Sequence, residues 1–262
     1  MEWLLFPALG VVAGVLAGLL GIGGGTVLVA ALVWLLPLHG VPVEHAMHAA
    51  LATSLASIVV TGLSSASAHH RRGSVLWPSV AWLVPGLLLG AWLGSRVALH
   101  IPGEWLRWGV AGYCVLAALQ LQLDWPRARA LHSQAPRGIA YSAAGGVIGA
   151  ISSWVGIGGG SMTVPLLIWR GVAPVRAVGT SSACGVAIAL ASAAGYASPG
   201  HLPGMPAGMW GFVYLPAALG IALASMLAAP WGTRLAHRLS GVMLKRVFAV
   251  FLVLVASALA LT

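Results

Sequence analysis

Gly21-Ile22-Gly23-Gly24-Gly25-Thr26 returns later in the chain as Gly156-Ile157-Gly158-Gly159-Gly160-Ser161, a shift of 135 residues from Gly21 to Gly156. Each copy interrupts a long apolar run, Leu4 to Leu38 in the first case and Ile139 to Trp169 in the second. A glycine inside a helix costs about 1 kcal/mol relative to alanine. Three in succession should open the helix locally. Inside a bilayer, open backbone survives only where protein buries it or where it lines a cavity. The two breaks are therefore expected to face each other and to form the site.

Composition fixes the solvent. Of 262 residues, 60% are hydrophobic and 6% charged, with a mean hydropathy of +0.96. That describes a polytopic membrane protein with no soluble domain. The net charge of +9 comes from 13 Lys+Arg against 4 Asp+Glu. These charges sit between apolar runs, where they orient spans rather than bind nucleic acid. Cys114 and Cys184 fall within apolar runs and read as small core residues, neither a disulfide nor a metal pair. Met1-Glu2-Trp3 lacks the basic start of a signal peptide, so the first helix is expected to stay.

The order of spans then follows. Leu4 to Leu20 carries Gly10, Gly14 and Gly18 at four-residue spacing, and Leu76 to Leu99 carries Gly86, Gly90 and Gly94 likewise. Such small-residue faces allow helices to approach closely. Val27 to Leu38, Ala46 to Ala68 and Trp105 to Leu123 complete the first half, with His69-His70-Arg71-Arg72-Gly73 as a short basic loop. In the second half, Val175 to Tyr196, Gly208 to Trp231 and Val242 to Leu261 follow the broken run. The shift of 135 also carries Gly10, Val12, Gly14 and Trp34 onto Gly145, Val147, Gly149 and Trp169. Ala52-Thr53-Ser54 matches Gly179-Thr180-Ser181, and Gly94-Ser95-Arg96 matches Gly232-Thr233-Arg234. The expected organisation is an N-terminal repeat over 1–123, a linker over 124–138 and a C-terminal repeat over 139–262. A repeat of this kind is a transporter signature.

Charge decides the topology. If each broken run crosses once, Arg71, Arg72, Arg127, Arg129 and Arg137 oppose the remaining eight basic residues, a weak bias. If each broken run enters and returns, those five join Arg170, Arg176, Arg234, Arg238, Lys245 and Arg246, leaving only Arg96 and Arg107 opposite. The positive-inside rule selects the second arrangement. Each half then has an odd number of crossings, so the halves are inverted and both termini lie outside the cytoplasm. The fold class is an all-α polytopic membrane protein of two inverted repeats, each a glycine-broken hairpin plus three transmembrane helices. Val27 to Leu38 is too short to cross about 30 Å of hydrocarbon comfortably. The two tips are expected to meet near the midplane.

Each tip presents the N-terminus of a half-helix, at Thr26 and at Ser161. Unpaired N–H groups and the helix dipole favour an anion there, and glycine lets it approach. The candidate substrate-binding residues are Gly21, Gly23, Gly24, Gly25 and Thr26, with Gly156, Gly158, Gly159, Gly160 and Ser161. Thr53, Ser54, Thr180 and Ser181 add hydroxyls. The plainer alternative is that the glycines are packing points or hinges and the hydroxyls bond their own helices.

The paired breaks, Ala52-Thr53-Ser54, the His69 to Gly73 loop and Gly179-Thr180-Ser181 resemble the TauE/SafE family, the sulfite exporter or TSUP permeases, from about Leu4 to Leu261. The resemblance implies transport of small sulfur-containing anions: sulfite, thiosulfate, sulfoacetate or related organosulfonates. It implies an integral protein of the bacterial inner membrane. The expected partners are a small anion and membrane lipid, with no nucleic acid and no cofactor; association of copies into a homo-oligomer is left open.

Three rivals come from other classes. Glu44, His45 and His48 suggest a transition-metal permease, because His45 and His48 stand one helical turn apart. His48 alone suits proton coupling, although the spans hold no Asp or Glu for a relay. An intramembrane enzyme needs a base for Ser161, and no His lies within the second half's spans, so no enzyme is expected. A purely structural membrane subunit is the third.

Overall fold

The computed structural model describes residues 5–20, 24–123, 136–236 and 241–260. Gly21 and Gly23 of the first break, and residues 124–135 of the linker, lie outside them, as do Arg127, Arg129 and Arg238. The first half comprises α1 (Leu5–Leu20), α2 (Gly25–Leu38), α3 (Val43–Arg71), α4 (Trp77–Ala98) and α5 (Gly103–Gln122). The second comprises α6 (Ile139–Val155), α7 (Gly160–Trp169), α8 (Pro174–Ala197), the two-residue strands β1 (Met209–Trp210) and β2 (Val213–Tyr214), α9 (Leu215–Ala236) and α10 (Gly241–Ala260). α3, α4 and α8 are long and apolar enough to cross a bilayer. α2 and α7, with 14 and 10 residues, reach only about 21 Å and about 15 Å.

Side-chain neighbours fix the direction of each helix. Phe6, at the start of α1, lies 4.7 Å from the His39 ring just past the end of α2. The Arg170 guanidinium, just past the end of α7, stands 5.4 Å over the Tyr141 ring at the start of α6. Both broken runs therefore turn back to the face they entered from, and Phe6 and Tyr141 are counterparts under the shift of 135. α1 runs parallel to α9: Gly10 meets Ile221 and Ala224, Gly14 meets Ser225, and the Ser225 hydroxyl donates to the Gly10 carbonyl at 2.8 Å. α6 runs parallel to α4 in the same way. Ser142 donates to the Trp82 carbonyl and Trp154 Nε1 to the Gly94 carbonyl, both at or under 2.8 Å. The small-residue faces are what allow these backbones to touch. α3 and α8 cross antiparallel at the centre, with Gly62 against Val186 and Ser65 against Ser182. α4 and α8 are parallel, tied near their starts by Leu76 N–H to Thr180 and meeting near their ends at Ser95 and Gly195.

Thus α1, α3 and α9 point one way and α4, α6 and α8 the other, so the repeats are inverted. One end of the molecule gathers Arg71, Arg72, Arg137, Arg170 and Arg176, together with the end of α9 and the start of α10. The other end carries Arg96, Arg107, Glu44 and Glu104.

Two sequence expectations need correction. The stretch from Gly208 does not enter the helix at once. Gly208 and Gly211 take left-handed backbone, and β1 pairs antiparallel with β2 in the register Met209 to Tyr214 and Trp210 to Val213. His69, His70 and Arg71 are the last turn of α3 rather than a loop, where the Arg71 charge complements the carbonyl end of the helix dipole.

Candidate functional site

The second elbow is the better defined. α6 closes where Gly156 turns left-handed, at φ +74°, and the N–H groups of Gly156 and Ile157 both donate to the Ser152 carbonyl at 3.0 and 3.2 Å. Gly159, at φ +70°, is left-handed too and caps α7. A side chain at either position would be strained. Met162 and Thr163 donate to the Gly159 carbonyl at 3.1 and 2.8 Å. Between these closures, the N–H groups of Gly158, Gly159, Gly160 and Ser161 meet no backbone carbonyl among the described residues. The elbow is a short arc of unpaired donors at a helix N-terminus, the arrangement that favours an anion.

The first elbow is described from Gly24 onward. Leu28 N–H donates to the Gly24 carbonyl at 3.0 Å. A Cβ on Gly24 would lie 2.6 Å from the Ala13 carbonyl oxygen, so this glycine lets the hairpin close on itself. α2 and α7 each begin one residue before the expected Thr26 and Ser161.

The elbows meet. A Cβ on Gly25 would lie 2.5 Å from the Gly156 carbonyl oxygen and 3.2 Å from Ile157 Cα. Ser54 stands between them, fully buried, its hydroxyl placed to donate to both the Gly25 carbonyl at 3.2 Å and the Gly156 carbonyl at 3.0 Å. It lies 11 residues into α3, about 16 Å from the start of that helix, which is roughly halfway across the hydrocarbon. Ile58, one turn on, touches both Gly25 and Gly158, while Gly185 of α8 faces the Gly158 carbonyl.

The remaining hydroxyls divide into engaged and unengaged. Thr53 accepts from Tyr214 N–H at 3.0 Å and Thr180 from Leu76 N–H at 2.9 Å. Tyr214 and Leu76 immediately precede α9 and α4, so this is one helix-start contact made twice. Thr180 also donates to the Arg176 carbonyl at 2.7 Å. Thr26 is buried at the first turn of α2. Ser181 is buried with no hydrogen-bond partner, as are Ser152 and Thr163. The Ser152 hydroxyl lies beside Gly159, 3.3 Å from where its Cβ would be. Ser161 is hydrogen-bonded to the Tyr113 hydroxyl from α5. The sequence reading missed Tyr113; the signal was a phenol in the apolar Gly109 to Cys114 stretch.

The site is electrically bare. Among the described residues no Asp, Glu, Lys or Arg is buried. The metal alternative lacks a ligand set: no group of three His, Cys, Asp or Glu lies together among the described residues. His48 Nε2 lies 3.1 and 3.0 Å from the Ala98 and Ile101 carbonyls. Those two acceptors place the hydrogen on Nε2, and the ring ties α3 to the α4–α5 turn.

The chain matches the family model described as Sulfite exporter TauE/SafE over residues 6–259. It is 37% identical over 260 residues to a probable membrane transporter protein of Haemophilus influenzae, covering 97% of this chain and 96% of that one. It is 29% identical over 205 residues to the probable membrane transporter protein YunE of Bacillus subtilis, covering 69% and 73% of the two chains. A probable membrane transporter protein of Xylella fastidiosa is 33% identical over 176 residues, covering 66% and 65%.

Proposed function

The chain belongs to the TauE/SafE family of membrane transporters, and on that footing we propose that it carries small sulfur-containing anions, such as sulfite, thiosulfate or an organosulfonate, past its two glycine elbows. The observation that carries this reading is the run of unpaired N–H groups from Gly158 to Ser161, at a helix N-terminus, where the opposing elbow closes against it. Backbone dipoles supply the positive potential that no buried cation among the described residues offers. Dipoles bind an anion without trapping it as a buried salt bridge would, which suits a site that must also release. Ser161, Tyr113 and the unpartnered Ser152 hydroxyl add donors on one side of the turn, and the α2 start at Gly24, Gly25 and Thr26 faces it. Gly21 and Gly23 stay in the proposed site by repeat alone. The arginine-rich end is assigned to the cytoplasm by the positive-inside rule, with both termini outside, in the bacterial inner membrane.

The test is ligand-dependent stabilisation of the purified protein. Sulfite or thiosulfate should raise the melting temperature, by an amount that grows with concentration above Kd. Tyr113→Phe combined with Ser161→Ala should shrink the rise while leaving the unliganded protein folded. Stabilisation by Ni²⁺ or Co²⁺, lost in His48→Ala, with no response to any sulfur oxyanion, would replace this reading with the metal one. Gly24→Leu is a poor probe, since its side chain would collide with Ala13 and break the hairpin itself.

A further inference from the structure

The two halves repeat in sequence but not in state. The match of Thr53-Ser54 to Thr180-Ser181 is a shift of 127, which pairs Ser65 with Ser192 and Leu55 with Ser182. At the arginine-rich end, Ser65 is exposed and donates to the half-buried Ser182 at 3.2 Å. At the other end the corresponding Ser192 and Leu55 are fully buried, and the Ser192 hydroxyl has no partner. That second end is also covered: Phe212 packs 5.5 Å from the His45 ring and 5.3 Å from the His48 ring. By exposure of these side chains, the Ser65 end between α3 and α8 is the more open one and the Ser192 end the shut one.

The serines follow the same asymmetry. Ser54 lies on the shut half of α3 and joins the two elbows through the Gly25 and Gly156 carbonyls. Its counterpart Ser181 lies at the open end, 3% exposed and with no hydrogen-bond partner. A buried hydroxyl without a partner is costly and calls for an explanation. We propose that Ser54 and Ser181 are alternating latches, each closing the elbows on its own half of the membrane, with one engaged while the other is released. In the opposite state Ser181 donates to the Gly160 carbonyl, the counterpart of Gly25, and Ser54 is free. Inverted repeats that exchange conformations give alternating access around a fixed site, and these serines are positioning residues for that exchange. The inference rests on transport past the elbows and is independent of which anion is carried.

The experiment uses single reporters in the full chain, Ser65→Cys or Ser192→Cys, and follows the rate of maleimide labelling in detergent without added anion. The native Cys114 and Cys184 are fully buried, and unsubstituted protein gives the background. Position 65 should label fast and position 192 slowly. Ser54→Ala should raise the rate at 192 and lower it at 65, changing the ratio of the two rates by about fivefold, the population shift of one net hydrogen bond. Ser181→Ala should do the reverse, slowing 192 further, and Ser54→Thr should restore the original ratio. An unchanged ratio in Ser54→Ala, or shifts of the same sign in the two alanine variants, overturns the proposal. If Ser54→Ala does not fold, Ser181→Ala decides alone: slower labelling at 192 supports the latch and an unchanged rate refutes it. Failure of every anion to stabilise the protein would overturn the functional reading and leave this result standing.

Discussion

The elbow between α1 and α2 and the elbow between α6 and α7 carry the same glycine string, and the protein uses them differently. At Gly24 and Gly25 the glycines remove bulk: one lets α1 and α2 close, the other lets the Gly156 carbonyl approach. At Gly156 and Gly159 they supply left-handed backbone, and the turn this creates leaves four N–H groups without a backbone acceptor among the described residues. The N–H groups of Gly24, Gly25 and Thr26 likewise meet no backbone carbonyl among the described residues, so the elbows differ in backbone conformation and packing rather than in having donors. The hydroxyls divide along the same line, with Ser54 fully engaged and Ser181 unpartnered. A duplicated motif can thus hold opposite halves of a transport cycle at one moment, since each copy answers to its neighbours as much as to its own sequence.

The sharpest way to break this comparison is to add one methyl group to each elbow. In Gly25→Ala the new Cβ would sit 2.5 Å from backbone, which cannot retreat as a side chain can. The expected cost is about 3 kcal/mol, read as a fall in melting temperature of roughly 6–12 °C. Gly158→Ala meets the Ile58 side chain first, at 3.3 Å, and should cost less than about 1 kcal/mol. Equal losses in the two variants would remove the distinction between a tightly packed elbow and a looser one.

Next in size is the serine pair. Ser54→Ala removes the one hydroxyl hydrogen shared between the Gly25 and Gly156 carbonyls and should cost about 1–3 kcal/mol by thermal unfolding. Ser181→Ala deletes a buried hydroxyl that bonds nothing in this state, so it should not lower stability and should raise it by up to about 1–3 kcal/mol. A smaller loss than that of Ser54→Ala is expected from Tyr113→Phe. Its loss of one partly buried hydrogen bond should cost about 0.5–1 kcal/mol, while the stabilisation by sulfite or thiosulfate falls more than proportionately. An undiminished anion response in Tyr113→Phe would remove the phenol from the site.

The architecture was legible because its causes are local or compositional. Three consecutive glycines break a helix wherever they occur, half-helices of 14 and 10 residues are too short to span, and most of the described arginines gather at one end. The inversion followed from counting charge alone. What the sequence could not show were choices made across distance. Thr53 and Thr180 look like ligand hydroxyls in a string, yet each is committed to a backbone N–H over 100 residues away. Tyr113 reaches Ser161 across 48 positions, and no spacing rule connects an aromatic on α5 to the start of α7. The β1–β2 hairpin was absorbed into a span because Met209 to Tyr214 is as apolar as any helix, and only the glycines at 208 and 211 mark the turn. Nor could the repeat reveal which of two equivalent serines would be engaged.

The central claim is that the α7 elbow holds its anion by backbone N–H groups, and amide hydrogen exchange measured by mass spectrometry reads those groups directly. With saturating sulfite or thiosulfate, exchange should slow in peptides covering Gly158 to Ser161, more than in peptides covering the α3 and α8 ends. Unchanged exchange across that turn, at an anion concentration that saturates transport, would contradict the account.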